Sequence, residues 1–515
     1  MSTVEQDTQA SSNGAGAKTI PVTNKATGEL IGHGPDLDRE QIAELAARAR
    51  RAQPAWDAIG FDGRAEVMFA LRRWLVANSD RLLQTIADEN GKVWEDAQLE
   101  LFYTADALSF WGKRAKKYLK DQTFRPHSPF LFGAKAILRY RPYGVVGVIG
   151  PWNYPLINNF GDAIPALMAG NTVLLKPSSI TPLTSLLVAE GMREIGAPED
   201  VFLVASGAGG AGSAVVDFTD MVHFTGSTET GKKIMAQAAE TVTPVTLELG
   251  SSDPMLVCAD ADLDRAAGAA LFYSMQNGGQ TCISVERVYV EEPVYEEFVS
   301  KVTDRARTLR QGVPAGAGSM DVGAVTMADQ ADIVERHVRD AVEKGAKVVV
   351  GGSRNDHSGG IFFQPTVLRD VDHTMEIMKE ETFGPTLPIM RVRDVDEAIR
   401  LANDSEFGLD SSVFTRDRAK GEAIARRIDA GATVVNDCMT NYFATEVPIG
   451  GIKESGIGAR HGATGIQKYC HPHNILVTRF APKKSPLFFP HEKRTTKAIG
   501  FFIKLLYGRG KRRKA

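Results

Sequence analysis

Apolar residues recur at helical spacing from Gln41 to Ala52, in a run rich in Ala, Glu and Arg. The same style continues from Arg64 to Asn90 and on to about Lys120, so this stretch predicts amphipathic helices. The pattern then changes. Ala134–Tyr140 mixes β-branched, aromatic and basic residues and predicts a strand. Gly144-Val-Val-Gly-Val-Ile-Gly150 is a short apolar run of the kind that forms a strand buried on both faces. Asn171–Lys176, Val201–Ala205 and Met221–Phe224 read the same way, with a helix predicted over Leu183–Ile195. After Gly250 the alternation resumes. Asp262–Ser274 and Tyr295–Leu309 predict helices, Arg287–Val290 an extended segment, and Ala346–Val350 and Thr433–Val435 buried strands. Strands alternating with helices imply βαβ units in a doubly wound sheet. Two such α/β domains are expected, meeting near residue 250, where ligand sites favour the domain interface and the carboxyl ends of parallel strands.

Composition adds limits. The 515 residues suggest about three packing units at roughly 100–200 residues each, and 43% hydrophobic with 24% charged residues is ordinary for a globular protein. Cys258, Cys282, Cys438 and Cys470 lie far apart without metal-ligand or CxxC spacing, which suits reduced thiols, and no metal site is expected. Residues 1–18 are polar and read as a disordered arm without a secretory signal. Charge is uneven: Lys483–Ala515 holds eleven Lys or Arg against one acid, Glu492, a net of +10, and leaves the remainder at -13.

Four segments are not explained by local structure. Gln276-Asn-Gly-Gly-Gln-Thr-Cys282 is an irregular loop carrying a thiol, and the loop alone leaves a reachable thiol and an inert buried one both open. Cys258, inside Met255-Leu-Val-Cys258, reads as core. In Thr246-Leu-Glu-Leu-Gly250 a carboxylate sits between two leucines; burial raises its pKa toward that of a general base, while a strand-edge Glu in water is the plain alternative. Pro151-Trp-Asn-Tyr-Pro155 follows a buried strand, so Asn153 is either an oxyanion donor on a rigid loop or part of a structural turn packed by Trp152. Phe224-Thr-Gly-Ser-Thr-Glu-Thr-Gly231 joins a strand to a helix and either brings backbone N–H groups to a phosphate or is a simple turn. The Lys-Lys that follows is not a P-loop ending.

Taken in order, these segments resemble the aldehyde dehydrogenase superfamily. The resemblance runs from about Val22 to Arg479 and includes Gly170-Asn-Thr-Val-Leu-Leu-Lys-Pro177, Glu380-Glu-Thr-Phe-Gly-Pro385 and Pro448-Ile-Gly-Gly-Ile-Lys-Glu-Ser-Gly456. It implies Cys282 as nucleophile, Asn153 with the Cys282 backbone N–H as oxyanion hole, and Glu248 as the base for hydrolytic water. It implies NAD or NADP as cofactor, with Gly226, Ser227 and Gly231 at the pyrophosphate and Trp152 nearby. Lys176 then reaches the adenosine ribose, Glu381 the nicotinamide ribose, and Phe383 lies against the cofactor. Tyr154, Ile157, Asn158 and Gly161 fall where relatives line the aldehyde tunnel, with Phe443 and Ile449 at its border. The function implied is oxidation of an aldehyde to a carboxylic acid. The rivals are a CoA-acylating dehydrogenase, which retention of Glu248 opposes, and a catalytically silent binding or structural member, which the complete set of three residues opposes.

The domains implied are a NAD(P)-binding domain over 19–121 and 143–250, a catalytic domain over 251–455, and a small β oligomerisation element over 122–142 and 469–482, giving a homodimer or homotetramer. Residues 483–515 remain as a basic amphipathic tail. The tail is too short in apolar residues to span a bilayer, but Ile499, Phe501, Phe502, Ile503, Leu505, Leu506 and Tyr507 among cations suit a membrane surface, against the alternative of a solvated or subunit-packed tail. A cytoplasmic protein is expected, with peripheral membrane contact through this tail and no nucleic-acid partner. Two positions depart from the family pattern. Ser179 stands where many members have a Glu that repels a 2′-phosphate, so NADP is tolerated. Ser251 stands where a glycine is common, adding a Cβ beside Glu248.

Overall fold

The computed structural model describes residues 18–357, 359–480, 483, 485 and 487–508. The arm expected over 1–18 lies, Lys18 aside, outside them. An antiparallel hairpin, Thr19–Thr23 with Leu30–Pro35, opens the described chain. Four helices follow, Arg39–Ala58, Gly60–Ala77, Ser79–Asn90 and Trp94–Leu119. The first starts at a capping box in which Asp38 and Gln41 satisfy each other's backbone N–H.

The first large sheet has six strands in the order Gly456–Ile457, Val245–Glu248, Met221–Thr225, Val145–Ile149, Thr172–Lys176, Phe202–Val204. All are parallel except the short Gly456–Ile457. Val145–Ile149 and Met221–Thr225 are buried at every position, as continuous apolar runs require. The chain runs outward from Val145–Ile149 on one side, then returns to Met221–Thr225 on the other. These two neighbours are therefore the point where winding reverses, and a crevice forms beyond their carboxyl ends. The Pro151–Pro155 loop and the Gly226–Ser227 turn leave from those ends.

The second sheet has seven strands in the order Lys347–Val350, Thr366–Arg369, Thr386–Val392, Val285–Glu291, Asp253–Val257, Ser412–Phe414, Val434–Val435. Alternate side chains feed two different cores. Met255 and Val257 pack with helices Leu263–Met275 and Tyr295–Ala306, while Leu256 and Cys258 pack with Ala328–Glu343 and Val395–Asn403. Cys258 is thus a core residue. Gly250–Ser252 joins the two sheets, and both lie within Arg141–His471, part of one compact unit.

Two strand expectations need correction. Lys347–Val350 and Val434–Val435 are the outermost strands, only partly buried, and the former is antiparallel to its neighbour. A short valine run reads alike at the centre and the edge of a sheet, because the neighbouring strand is set by distant sequence.

A separate unit comprises Lys120–Tyr140 and the chain from Pro472. Its sheet has the order Cys470–Val477, Lys135–Pro142, Gln122–Phe124. The tail contains a helix, Lys493–Tyr507, with no buried residue. Lys484, Arg509 and Lys511–Lys514 lie outside the described residues.

Candidate active site

The helix Leu263–Met275 ends at Gln276–Gly279, a tight turn with Asn277 and Gly278 both in left-handed geometry. Gly279 is obligatory: a Cβ there would sit 2.0 Å from the carbonyl oxygen of Gly384. The turn is pinned from several sides. Asp96 accepts from the Asn277 N–H at 2.9 Å, and Gln280 accepts from Thr326 N–H through its side-chain oxygen at 2.9 Å. Cys282 follows, before the strand Val285–Glu291.

The facing loop is held from below. Lys92 and Glu100, both without exposed side-chain surface, pair at 2.6 Å. Glu100 also accepts from Leu156 N–H at 2.9 Å and Ile157 N–H at 3.1 Å, and Lys92 donates to the Asn153 carbonyl at 2.8 Å. Asn277 donates to that same carbonyl at 2.9 Å. The Asn153 side-chain amide donates to the Gln280 carbonyl at 2.8 Å, so the two loops are joined at this residue.

Cys282 lines two cavities. One, with about 790 Å³ of empty space counted to its open mouth, is bordered by Trp152, Asn153, Gly226, Ser227, Glu248, Glu381 and Phe383. The other, about 730 Å³, is bordered by Tyr154, Ile157, Asn158, Tyr442 and Phe443 among others. Asn158 also borders both.

Glu248 ends its strand, 3.3 Å from an Arg460 nitrogen through one oxygen; the other oxygen is buried without a partner. Burial raises its pKa, and Arg460 and then Lys468 pull it partly back. Arg460 is itself clamped by Asp162 at 2.8 Å and donates to Thr225 at 2.6 Å. Cys282 keeps partial exposure, yet the surrounding protein is dense enough that burial pushes the thiol up to about 12, with Arg460 opposing. At rest the sulfur therefore holds its proton, and a base is required to make the nucleophile.

The first cavity fits a dinucleotide. Ser227 caps the helix Thr228–Ala239, accepting from Thr230 N–H at 3.4 Å, and leaves a helix N-terminus beside the cleft for phosphate. Glu381 offers a carboxylate to sugar hydroxyls, one oxygen already accepting from Ser251 N–H at 2.9 Å. Its loop is shaped by buried Glu286, which accepts from Thr382 N–H at 2.9 Å and Phe383 N–H at 2.8 Å. Burial raises the pKa of both carboxyls, and for Glu286 repulsion by Glu381 adds to it. Trp152 and Phe383 meet edge to face, ring centroids 5.6 Å apart.

Several expected residues sit elsewhere. Gly231 is turned into the fold, where a Cβ would lie 2.5 Å from Leu249, so it serves helix packing rather than the cleft wall. Gly161 abuts Tyr103 and borders neither cavity. Ile449 is buried, exchanging backbone hydrogen bonds with Arg460 at 2.7 and 3.0 Å, and supports that residue instead of the tunnel. Lys176 and Ser179 lie at and after the carboxyl end of Thr172–Lys176, beyond the residues bordering the first cavity. The added Cβ of Ser251 is accommodated: its hydroxyl donates to Asp253 and accepts from Leu409 N–H at 3.3 Å. Lys92, Glu100, Asp162 and Arg460 were missed. Their signal was present in part, because Asp96 and Glu100 occupy the apolar phase of the helix Trp94–Leu119.

The chain matches the aldehyde dehydrogenase family model over residues 12–475. It is 39% identical over 494 residues to 4,4'-diapolycopene aldehyde oxidase of a Methylomonas species, covering 95% of this chain and 92% of that one. Among solved structures it resembles an NAD-dependent aldehyde dehydrogenase from Sinorhizobium meliloti, with a TM-score of 0.87, 34% identity and coverage of 92% and 95%. A crystal structure described as an E. coli NADP dependent enzyme gives a TM-score of 0.85, 34% identity and coverage of 90% and 95%. The chain belongs to the aldehyde dehydrogenase family. It is an oxidoreductase that converts an aldehyde to a carboxylic acid with NAD or NADP.

Replacing Lys92 by Met leaves Glu100 charged and buried without its cation, and breaking such a pair costs about 3–5 kcal/mol. Urea unfolding of Lys92→Met is expected to show that loss; an unchanged midpoint would mean that the pair does not hold the loop.

Proposed function

We propose that Cys282 attacks the aldehyde, that Asn153 meets the developing oxyanion, and that Glu248 directs the hydrolytic water. The observation that carries this reading is that Cys282 borders both cavities while Asn153 and Glu248 border the one that fits a dinucleotide. The thiol gives up its proton, and Glu248, raised in pKa with one oxygen free, is suited to take it. The thiolate adds to the carbonyl carbon, and the Asn153 amide with the Cys282 backbone N–H stabilises the charge on oxygen. When bound, the nicotinamide cofactor supplies the hydride acceptor for the oxidation. The acyl group then remains on Cys282 as a thioester; Glu248, having released the thiol proton to solvent, takes a proton from the attacking water, the C–S bond breaks, and the acid leaves as the sulfur is freed. A carboxylate kept at that position favours water over a thiol as acyl acceptor.

Cys282→Ala is expected to abolish dehydrogenase turnover. Glu248→Gln is expected to slow steady-state turnover roughly 100- to 10,000-fold, the range for losing a general base. Both are read by reduced-cofactor absorbance and by free acid formed. Intact turnover in Cys282→Ala would sink the assignment.

The first sheet and its helices are assigned to the cofactor and the second to the catalytic cysteine. Gly226, Ser227, Trp152, Glu381 and Phe383 are assigned to the cofactor at the cleft, with Lys176 and Ser179 toward its adenosine end. Burial alone lowers the pKa of Lys176, with no charged partner among the described residues, and Ser179 carries no charge to oppose a 2′-phosphate. NADP is therefore accepted. Comparing kcat/KM for the two cofactors is expected to give NADP at least parity; a thousandfold preference for NAD, about 4 kcal/mol, would refute this.

The sheet containing Lys135–Pro142 is assigned to a homodimer or homotetramer contact: Lys135–Pro142 is its central strand and not the edge expected, and the outer strands Cys470–Val477 and Gln122–Phe124 are the edges that invite pairing. Phe124, Phe130, Phe132, Leu476 and Phe480 in the same unit are all exposed. The tail is assigned to an anionic membrane surface. Ile499, Phe502, Ile503 and Leu506 form a stripe along the helix Lys493–Tyr507, with Lys497 and Lys504 on the opposite side. No helix among the described residues is long and apolar enough to cross a membrane. Apolar groups at lipid and cations at head groups match an interfacial helix. The full chain is expected to pellet with phosphatidylserine vesicles and a truncation at Ala481 to stay in solution; equal pelleting of both removes the assignment.

A further inference from the structure

The cavity on the far side of Cys282 from the dinucleotide cleft has a distinct chemistry. Its wall includes Leu99, Tyr154, Ile157, Ile283, Met439 and Tyr442. Its polar groups are neutral amides and hydroxyls, and among the described residues no Lys, Arg, His, Asp or Glu borders it. Two buried cations, Lys92 and Arg460, are already paired. Lys92 lies over the Tyr154 ring at 4.1 Å, but its charge is met by Glu100 at 2.6 Å. Arg460 is held by Asp162 and Glu248. Neither is available to a carboxylate entering the cavity.

Toward solvent the cavity ends in aromatic rings. Phe272 is 51% exposed and Phe443 39% exposed, and both border it. Phe102, 64% exposed, lies 6.0 Å from Phe443 between ring centroids. A rim of exposed phenyl groups is costly in water unless something apolar passes over it.

We infer that this cavity selects an uncharged, apolar aldehyde whose chain runs from Cys282 toward the Phe272–Phe443 rim, and that it turns away aldehydes carrying a carboxylate at the far end. This rests on the reading of Cys282 as the nucleophile. A carboxylate drawn into the cavity would lose its water and gain no cation, and a buried unpaired charge is strongly disfavoured. An alkyl chain there exchanges water for Leu, Ile, Met and aromatic contacts, a gain that grows with each methylene. Specificity then comes from a penalty against the charged competitor as much as from attraction to the apolar one.

The test uses the full-length enzyme with saturating NAD or NADP and the aldehydes hexanal, decanal, succinate semialdehyde and glutarate semialdehyde. Decanal is expected to exceed both semialdehydes in kcat/KM on the order of tenfold or more. A smaller margin, or the reverse order, overturns the inference. Phe443→Arg places a cation at the rim of a partly exposed position. It is expected to narrow the ratio by raising kcat/KM for the semialdehydes and lowering it for decanal; an unchanged ratio counts against the cavity as the selector. The outcomes separate the two readings. Preferred oxidation of a semialdehyde that is lost in Cys282→Ala sinks this inference alone. Turnover that survives Cys282→Ala, or absence of turnover with every aldehyde, sinks the reading of the cysteine and this inference with it.

Discussion

An ammonium and a carboxylate shut away from water, Lys92 and Glu100, hold up the loop that faces the cysteine. The pair earns its place through the bonds that radiate from it. Glu100 spends its second oxygen on the N–H groups of Leu156 and Ile157, and Lys92 spends a proton on the Asn153 carbonyl. A rigid Pro151–Pro155 turn would otherwise project buried polar backbone with nothing to satisfy it. The orientation of the Asn153 amide, and its link to the cysteine turn through Gln280, follow from that support.

A second set of buried charges surrounds Glu248. Among the described residues Glu248 touches one cation, Arg460, and Asp162 already holds that cation in a two-point grip. Burial alone would raise the pKa of Asp162, but Arg460 and His223 hold it far below the ordinary carboxylate range. Arg460 is thus largely neutralised before it meets Glu248. The outcome is a carboxylate above its ordinary pKa beside a thiol above its own. Raising the carboxylate makes it a better base, while raising the thiol holds its proton more firmly.

Much of this was legible in the chain. The apolar runs at Val145–Ile149, Thr172–Lys176 and Met221–Thr225 announce strands buried on both sides, and the loops that leave their ends carry the polar residues of the cleft. What was not legible depended on contacts across long separations. Lys92 lies in the short link between two helices, and although Glu100 falls in the apolar phase of its helix, neither shows its partner until the Pro151–Pro155 loop is laid on them. Arg460 pairs with Asp162 from 298 positions away. The resemblance put Gly231 at the cofactor pyrophosphate and Ile449 at the border of the aldehyde tunnel, whereas the fold turns Gly231 against Leu249 and pairs Ile449 with Arg460. The edge strands Lys347–Val350 and Val434–Val435 differ from central ones only in what lies beside them.

At Gly279 the turn before the cysteine and the loop carrying Glu381 and Phe383 meet main chain to main chain, with no room for even a methyl group between them. A seam of that kind has no rotamers and little slack. Any breathing that admits or releases a large ligand is left to the rest of the cleft wall, such as the turn at Gly226. The sulfur consequently sits on the stationary jaw of the cleft, and a guest adapts to it.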